Sequence, residues 1–308
     1  LPAVLNQEPV GTRTFPENMT PHQVLALVPS STITRIQNSV APLRSDAVDG
    51  AFWTELNTLV SNVSCFSTKG RSYGDPHLKS YDGERFSFQT VGEFVLTKSG
   101  DSHMEVQTRQ KAVRDDFSLN TAVAMNVSGD RVCLYAEDAP DFNGSSPLRI
   151  NGTAVTVGTK PYFLDNGGVV TRSGSNYVVD WPTGESVTAS SGNTAGISFY
   201  NIQVIVSTCT RTYSGVLGNA NGIQRDDFNS AGMSVPTRFF ASSNTQLDKD
   251  IEQERLIYIA KDFADIHRIT QANSLFDYGI GQSTFTFTDR SFPRFHRSLN
   301  DLDPGQRA

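Results

Sequence analysis

The stretch Gly74-Asp75-Pro76-His77-Leu78-Lys79-Ser80-Tyr81-Asp82-Gly83-Glu84-Arg85-Phe86-Ser87-Phe88 decides how this chain is read. Gly74-Asp75 is turn chemistry, Pro76 fixes φ, and Phe86 and Phe88 then recur at period two, so the segment predicts a strand start. Asp-Pro is also the most acid-labile ordinary peptide link. His77, next along, is the side chain best suited to moving a proton near neutral pH. Two readings stay open at this point: a plain turn into a strand, with His77 as an ordinary packed residue, or a bond poised to break itself.

Working outward, period two persists to about Phe240. Phe94-Val95-Leu96, Met104 to Gln107, Thr121 to Val127, Arg131 to Tyr135, Val155 to Val157, Val169 to Arg172, Tyr177 to Trp181 and Ile197 to Val206 read as strands. Turn signals separate them: Ser128-Gly129-Asp130, Asn143-Gly144, Asn151-Gly152, Asn166-Gly167-Gly168 and Thr183-Gly184. Roughly ten strands with short turns and no helices between them predict an all-β fold, an antiparallel two-sheet sandwich.

The pattern changes on either side of that region. Residues 1–64 read as a small helical segment or adaptor, with His22 to Leu27 and Ala47 to Val60 as its helices. Residues 65–240 form the β domain. Residues 241–293 supply a C-terminal helix, Leu247 to Ala264, and then an extended wrapping segment. Residues 294–308 are polar, carry Asp303-Pro304-Gly305 and read as a linker.

Composition narrows the function classes. The chain has 308 residues, 37% of them hydrophobic, and a net charge of -6 without a Lys/Arg run, which disfavours a nucleic-acid groove. No apolar run approaches the roughly 18 residues of a membrane helix, so no membrane insertion is expected. The chain begins Leu1-Pro2 rather than with Met, which predicts a processed product or an excised piece. Three cysteines, Cys65, Cys133 and Cys209, allow at most one internal disulfide. Asn18, Asn62, Asn126, Asn143 and Asn151 head Asn-x-Ser/Thr sequons, which permit a secreted glycoprotein. There is no Gly-x-Ser-x-Gly, Cys-His signature or phosphate loop, so the chain is not read as an enzyme.

A second informative stretch is Gly218-Asn219-Ala220-Asn221-Gly222-Ile223, closing on Asp226-Asp227. Oxygen-bearing side chains at alternate positions, a Gly for a tight bend and paired carboxylates suit a hard cation that takes oxygen ligands. It is not an EF-hand, because the twelfth-position Glu is absent. The competing reading is an Asn-Gly hairpin with a solvated Asp-Asp turn. Scattered histidines argue against zinc.

Taken together, Gly74-Asp75-Pro76-His77, Tyr81-Asp82-Gly83, Gly92-Glu93-Phe94-Val95-Leu96 and Gly215-Val216-Leu217-Gly218-Asn219 resemble the opening and closing signatures of a von Willebrand factor type D domain, from Cys65 to about Asp289. The resemblance implies a secreted or cell-surface module with a structural or adhesive role. Its partners would be other extracellular proteins or glycoproteins, with a homo-oligomer also open. It further implies Ca2+ held by the side chains of Asp82, Asn219, Asn221, Asp226 and Asp227 and by the Ile223 carbonyl. In some members of the family the bond equivalent to Asp75-Pro76 cleaves itself, with His77 as proton donor. Type D domains also occur within secreted luciferases and lipid carriers, which supplies the alternative functions. Two departures stand out: Leu217 where the family has Cys, and His267 where it has Trp. These resemble the cysteine-poor branch of membrane mucins, sushi-domain proteins and invertebrate adhesion proteins, and argue against disulfide-linked polymers. Cys65–Cys209 is the preferred disulfide, since both lead towards the implied calcium site, with Cys133 as a buried thiol. Cys133–Cys209 is the second choice.

Overall fold

A computed structural model describes residues 67–141, 146–207, 211–227 and 258–294. The expected helices in residues 1–64, Cys65, Cys209, the sequons at Asn18, Asn62 and Asn143, the first part of the 247–264 helix, and residues 295–308 lie outside the described residues. Fifteen strands occur among the described ones. They are β1 (Ser67–Tyr73), β2 (His77–Lys79), β3 (Arg85–Ser87), β4 (Gly92–Ser99), β5 (Met104–Ala112), β6 (Ser118–Val127), β7 (Asp130–Tyr135) and β8 (Leu148–Ile150). There follow β9 (Thr153–Ala154), β10 (Tyr162–Phe163), β11 (Val169–Ser173), β12 (Asn176–Asp180), β13 (Ser186–Thr194), β14 (Ile197–Ser207) and β15 (Tyr213–Ser214).

The strands form two antiparallel sheets, ordered β10-β11-β12-β13-β14-β1-β2-β3 and β15-β4-β5-β6-β7-β8-β9, as the sandwich expectation requires. In β14 the alternation is clean: Tyr200, Ile202, Val204 and Val206 are buried and their neighbours are not. These side chains meet Val123, Met125, Val127, Phe94 and Leu96 of the other sheet in one core. Asn120 crosses between the sheets, donating to Ser72 Oγ at 2.9 Å and to the Tyr200 carbonyl at 3.4 Å.

Strand β6 is buried along almost its whole length. One face joins the central core. The other packs Ala122 and Ala124 with Cys133, Tyr135, Ile269 and Phe276, so the C-terminal segment covers the back of this sheet. That segment falls in the region read from sequence as a wrapping extension. It is preceded by a π-helical turn, Ile259–Phe263, that continues as Ala264–His267. His267, where the resemblance leads one to expect Trp, packs edge-on against Phe263 at 4.7 Å between ring centroids.

Some strand readings shift. Val155 to Val157 is not a strand: β9 ends at Ala154, and Val157 enters the core from irregular chain. Val155 N–H still donates to the Leu148 carbonyl at 2.9 Å, but the buried Val157 packs without strand pairing. Strand β1 escapes a reading by hydrophobic alternation because Gly70 and Ser72 fill its buried positions, and β13 because it buries only Val187 and Ala189. Gly70 of β1 is buried, and a Cβ there would lie 2.8 Å from Leu217 Cδ1, which is why glycine suits the position. Among the described residues no helix is long and apolar enough to cross a membrane.

Candidate functional site

The β2–β3 turn and the loop after β15 meet at one end of the sandwich. Tyr81 N–H donates to the Leu217 carbonyl at 3.0 Å, so the two sequence signatures are stitched together by main chain. Carboxylate oxygens of Asp82, Asp226 and Asp227 all lie within 4.8 Å of one another there. Asp82 is held by the N–H groups of Gly222 (2.8 Å) and Asn221 (3.2 Å). Asp226 accepts from the amides of Asn221 (2.7 Å) and Asn219 (3.2 Å). The amide oxygens of Asn219 and Asn221 accept the N–H groups of Asn221 and Ile223, and the Ile223 carbonyl accepts Asp226 N–H in a short 3-10 turn. All six expected ligand residues are therefore gathered in one place.

Asp227 is the buried member. Ser80 Oγ donates to its Oδ2, and Ser80 in turn accepts Glu84 N–H at 2.8 Å. Its Oδ1 is buried with no hydrogen-bond partner. That oxygen sits where a Cβ on residue 218 would be, only 2.1 Å away, and Gly218 has φ +86, so glycine makes room for the carboxylate on both counts. Burial and then the neighbouring Asp82 charge push the Asp227 carboxyl up to about 7 from its ordinary 3.8, against the Ser80 hydrogen bond. Ser80 was not singled out in the sequence. A hydroxyl two residues before Asp82 in the same turn was the available signal.

The Asp75-Pro76 bond lies in the tight turn between β1 and β2. Gly74 has φ +62, and its N–H donates to Asn201 Oδ1 at 2.8 Å. His77 Nε2 lies 2.9 Å from Asp75 Oδ1, and His77 Nδ1 lies 3.1 Å from Ser87 Oγ. The Asp75 hydrogen bond raises the His77 pKa above its ordinary 6.5, burial opposes the rise, and the Asp75 charge adds to it. The carbonyl oxygen of Asp75 accepts Gln89 Nε2–H at 2.7 Å, and Gln89 Oε1 is itself fixed by Ser118 N–H at 3.0 Å. The next carbonyl, of Pro76, accepts Phe88 N–H at 2.8 Å. Sequence reasoning missed Gln89, because only the β3–β4 connection brings it back to the turn.

The remaining candidates are quieter. Cys133 is free and buried, its thiol is pushed up to about 12 chiefly by burial, and it donates to the Leu275 carbonyl at 3.2 Å, which is the behaviour of a core residue. Asn126 and Asn151 use their amide nitrogens on Ser102 O and Asp130 Oδ1, both at 3.0 Å. Residues 70–233, more than half of the chain, match the family model of the von Willebrand factor type D domain.

Proposed function

The chain belongs to the von Willebrand factor type D domain family, whose members are typically extracellular, non-enzymatic modules that bind other proteins. On that premise we propose that it is a calcium-stabilised structural or adhesive module that can cut itself once at Asp75-Pro76. The observation that carries the calcium reading is the buried, unpartnered Oδ1 of Asp227 beside the carboxylates of Asp82 and Asp226. A buried acceptor without a donor is costly, and three clustered acids repel one another. A bound Ca2+ would supply the missing positive charge and take the oxygen ligands that these groups offer. Asp82, Asp226 and Asp227 would hold it, with Asn219, Asn221 and the Ile223 carbonyl completing the set. Because Asp82 belongs to the first signature and the others to the last, binding would lock the two ends of the domain together.

Thermal unfolding tests this reading directly. Calcium should raise the melting temperature and EDTA should reverse the gain, since a ligand of the native state stabilises by mass action. Asp227→Ala should make EDTA almost without effect, and unchanged EDTA sensitivity in that variant would remove Asp227 from the ligand set.

A pH series in EDTA has a definite sign. The Asp227 carboxyl titrates near 7 when folded and near 3.8 in an open chain. Its contribution to stability is therefore full below about 3.8 and is lost as pH rises towards 7. The metal-free protein should melt progressively lower across that window. Asp227→Asn should flatten the slope.

A further inference from the structure

Strands β1, β2 and β3 carry Arg71, Lys79 and Arg85 directly opposite one another: Arg71 pairs with Lys79, and Lys79 with Arg85. Directly opposed residues of an antiparallel pair share a face, so three cations stand in a row across the sheet. Like charges in this register destabilise a sheet. Several cations elsewhere are paired with a carboxylate, as in Lys98–Glu105, Lys111–Asp138 and Arg131–Asp277. Here, among the described residues, no carboxylate pairs with any of the three. The strands from β13 to β3 also hold Lys69 and His77, yet they contain no Asp or Glu at all, in a chain whose net charge is -6.

The row is not a flat surface. Arg71, Lys79 and Arg85 line a groove of about 390 Å³ whose walls include Tyr73, Asn201 and Gln203. Arg71 is steadied by its Nε–H bond to Gln203 Oε1 at 2.9 Å, and Tyr73 leaves 38% of its surface exposed beside it. We propose that this groove binds an anionic glycan, a saccharide chain bearing sulfate or uronate groups. Guanidinium and ammonium groups recognise such anions through charge-assisted hydrogen bonds. The aromatic ring offers a face to a sugar ring, and the amides suit sugar hydroxyls. Adjacent strands lie roughly 4.8 Å apart, so Arg71 to Arg85 spans about 10 Å, close to the length of one disaccharide. Paired anionic groups on one disaccharide unit would meet cations at that spacing. The groove shares no residue with the carboxylate cluster, and it straddles the Asp75-Pro76 turn, with Arg71 and Tyr73 before that bond and Lys79 and Arg85 after it.

The test is binding of the intact chain to heparin, as a sulfated glycosaminoglycan, at about 150 mM salt, where exposed long-range attraction is largely screened. Arg71→Gln/Lys79→Gln/Arg85→Gln should bind about tenfold more weakly or worse. Its melting temperature should be unchanged or higher, because the repulsion along the row is gone. Lys160→Gln, outside the groove, should bind as the parent does, and desulfated heparin should bind poorly to both. If the triple variant does not fold, Lys79→Gln alone serves, with a loss of about threefold expected. Failure of the parent to bind heparin, or equal binding by parent and groove variant, overturns the proposal. Polyglutamate or phosphatidylserine vesicles binding as tightly as heparin would overturn the glycan assignment.

Discussion

Incubated at mildly acidic pH and then denatured, the protein should separate into fragments ending at Asp75 and beginning at Pro76, whereas Asp75→Ala and His77→Ala should stay at full length. The proposed route begins with attack of the Asp75 carboxylate on its own main-chain carbonyl carbon, which closes a five-membered cyclic anhydride. The C–N bond to Pro76 breaks, the proline nitrogen leaves with a proton from His77, and water then opens the anhydride. One water is consumed and no other reactant is needed. Holding nucleophile and carbonyl in one residue is worth orders of magnitude in effective molarity. His77 follows Pro76 directly in the chain and, held by its Nε2 contact with Asp75 Oδ1 at 2.9 Å, would be the group that protonates the leaving nitrogen. Gln89 Nε2–H, 2.7 Å from the Asp75 carbonyl oxygen, points at the atom where negative charge develops. Loss of one such donor typically costs about a hundredfold in rate, so Gln89→Met should slow the cut by that order while leaving calcium binding intact. Since its Asp75 contact keeps His77 protonated to higher pH than usual, the rate should hold to above 6.5 and then fall as His77 loses its proton. Mass spectrometry of the denatured chain reads all of this. Cutting at the same bond in Asp75→Ala would point to an outside protease.

How much of this was legible in sequence depends on what each residue's environment requires. β14 and β6 announced themselves because their burial depends on apolar side chains, whether alternating, as at Tyr200 to Val206, or nearly continuous, as in Ser118–Val127. β1 did not, because its buried positions are Gly70 and Ser72, chosen for close approach and for a hydrogen bond from Asn120. Its membership is a tertiary fact. The acid cluster was readable because Asp82, Asp226 and Asp227 sit in short motifs with turn glycines. What sequence could not supply is their inequality: Asp227 alone is buried, under Ser80 and against Gly218, and so carries the strongest reason for a cation. Gln89 was hidden for a related reason. Its role exists only because Ser118, on a strand of the other sheet, fixes its amide.

The largest stability loss is expected at Arg109. Its guanidinium is fully buried, ion-paired with the equally buried Glu93 at 2.7 Å, and enclosed by the rings of Tyr135, Phe276, Tyr278 and Phe287. Three of those four rings belong to the C-terminal extension, and Tyr278 also donates its hydroxyl to Glu93 Oε2 at 2.6 Å. One charge pair in β4 and β5 thereby anchors the segment that covers the back of the second sheet. Arg109→Leu removes the cation and strands Glu93 in a site from which water is excluded. Breaking a buried pair on one side costs about 3–5 kcal/mol. For a domain of this size that is a fall of about 10 °C in melting temperature. The extension should also become the first point of proteolysis, since its rings lose the group they enclose. Arg109→Leu/Glu93→Leu should recover most of the loss, because apolar replacement of both partners leaves no buried charge. Urea unfolding of the two variants decides between causes. A double variant as unstable as the single would mean that ring packing around the guanidinium, not the uncompensated carboxylate, holds the extension in place.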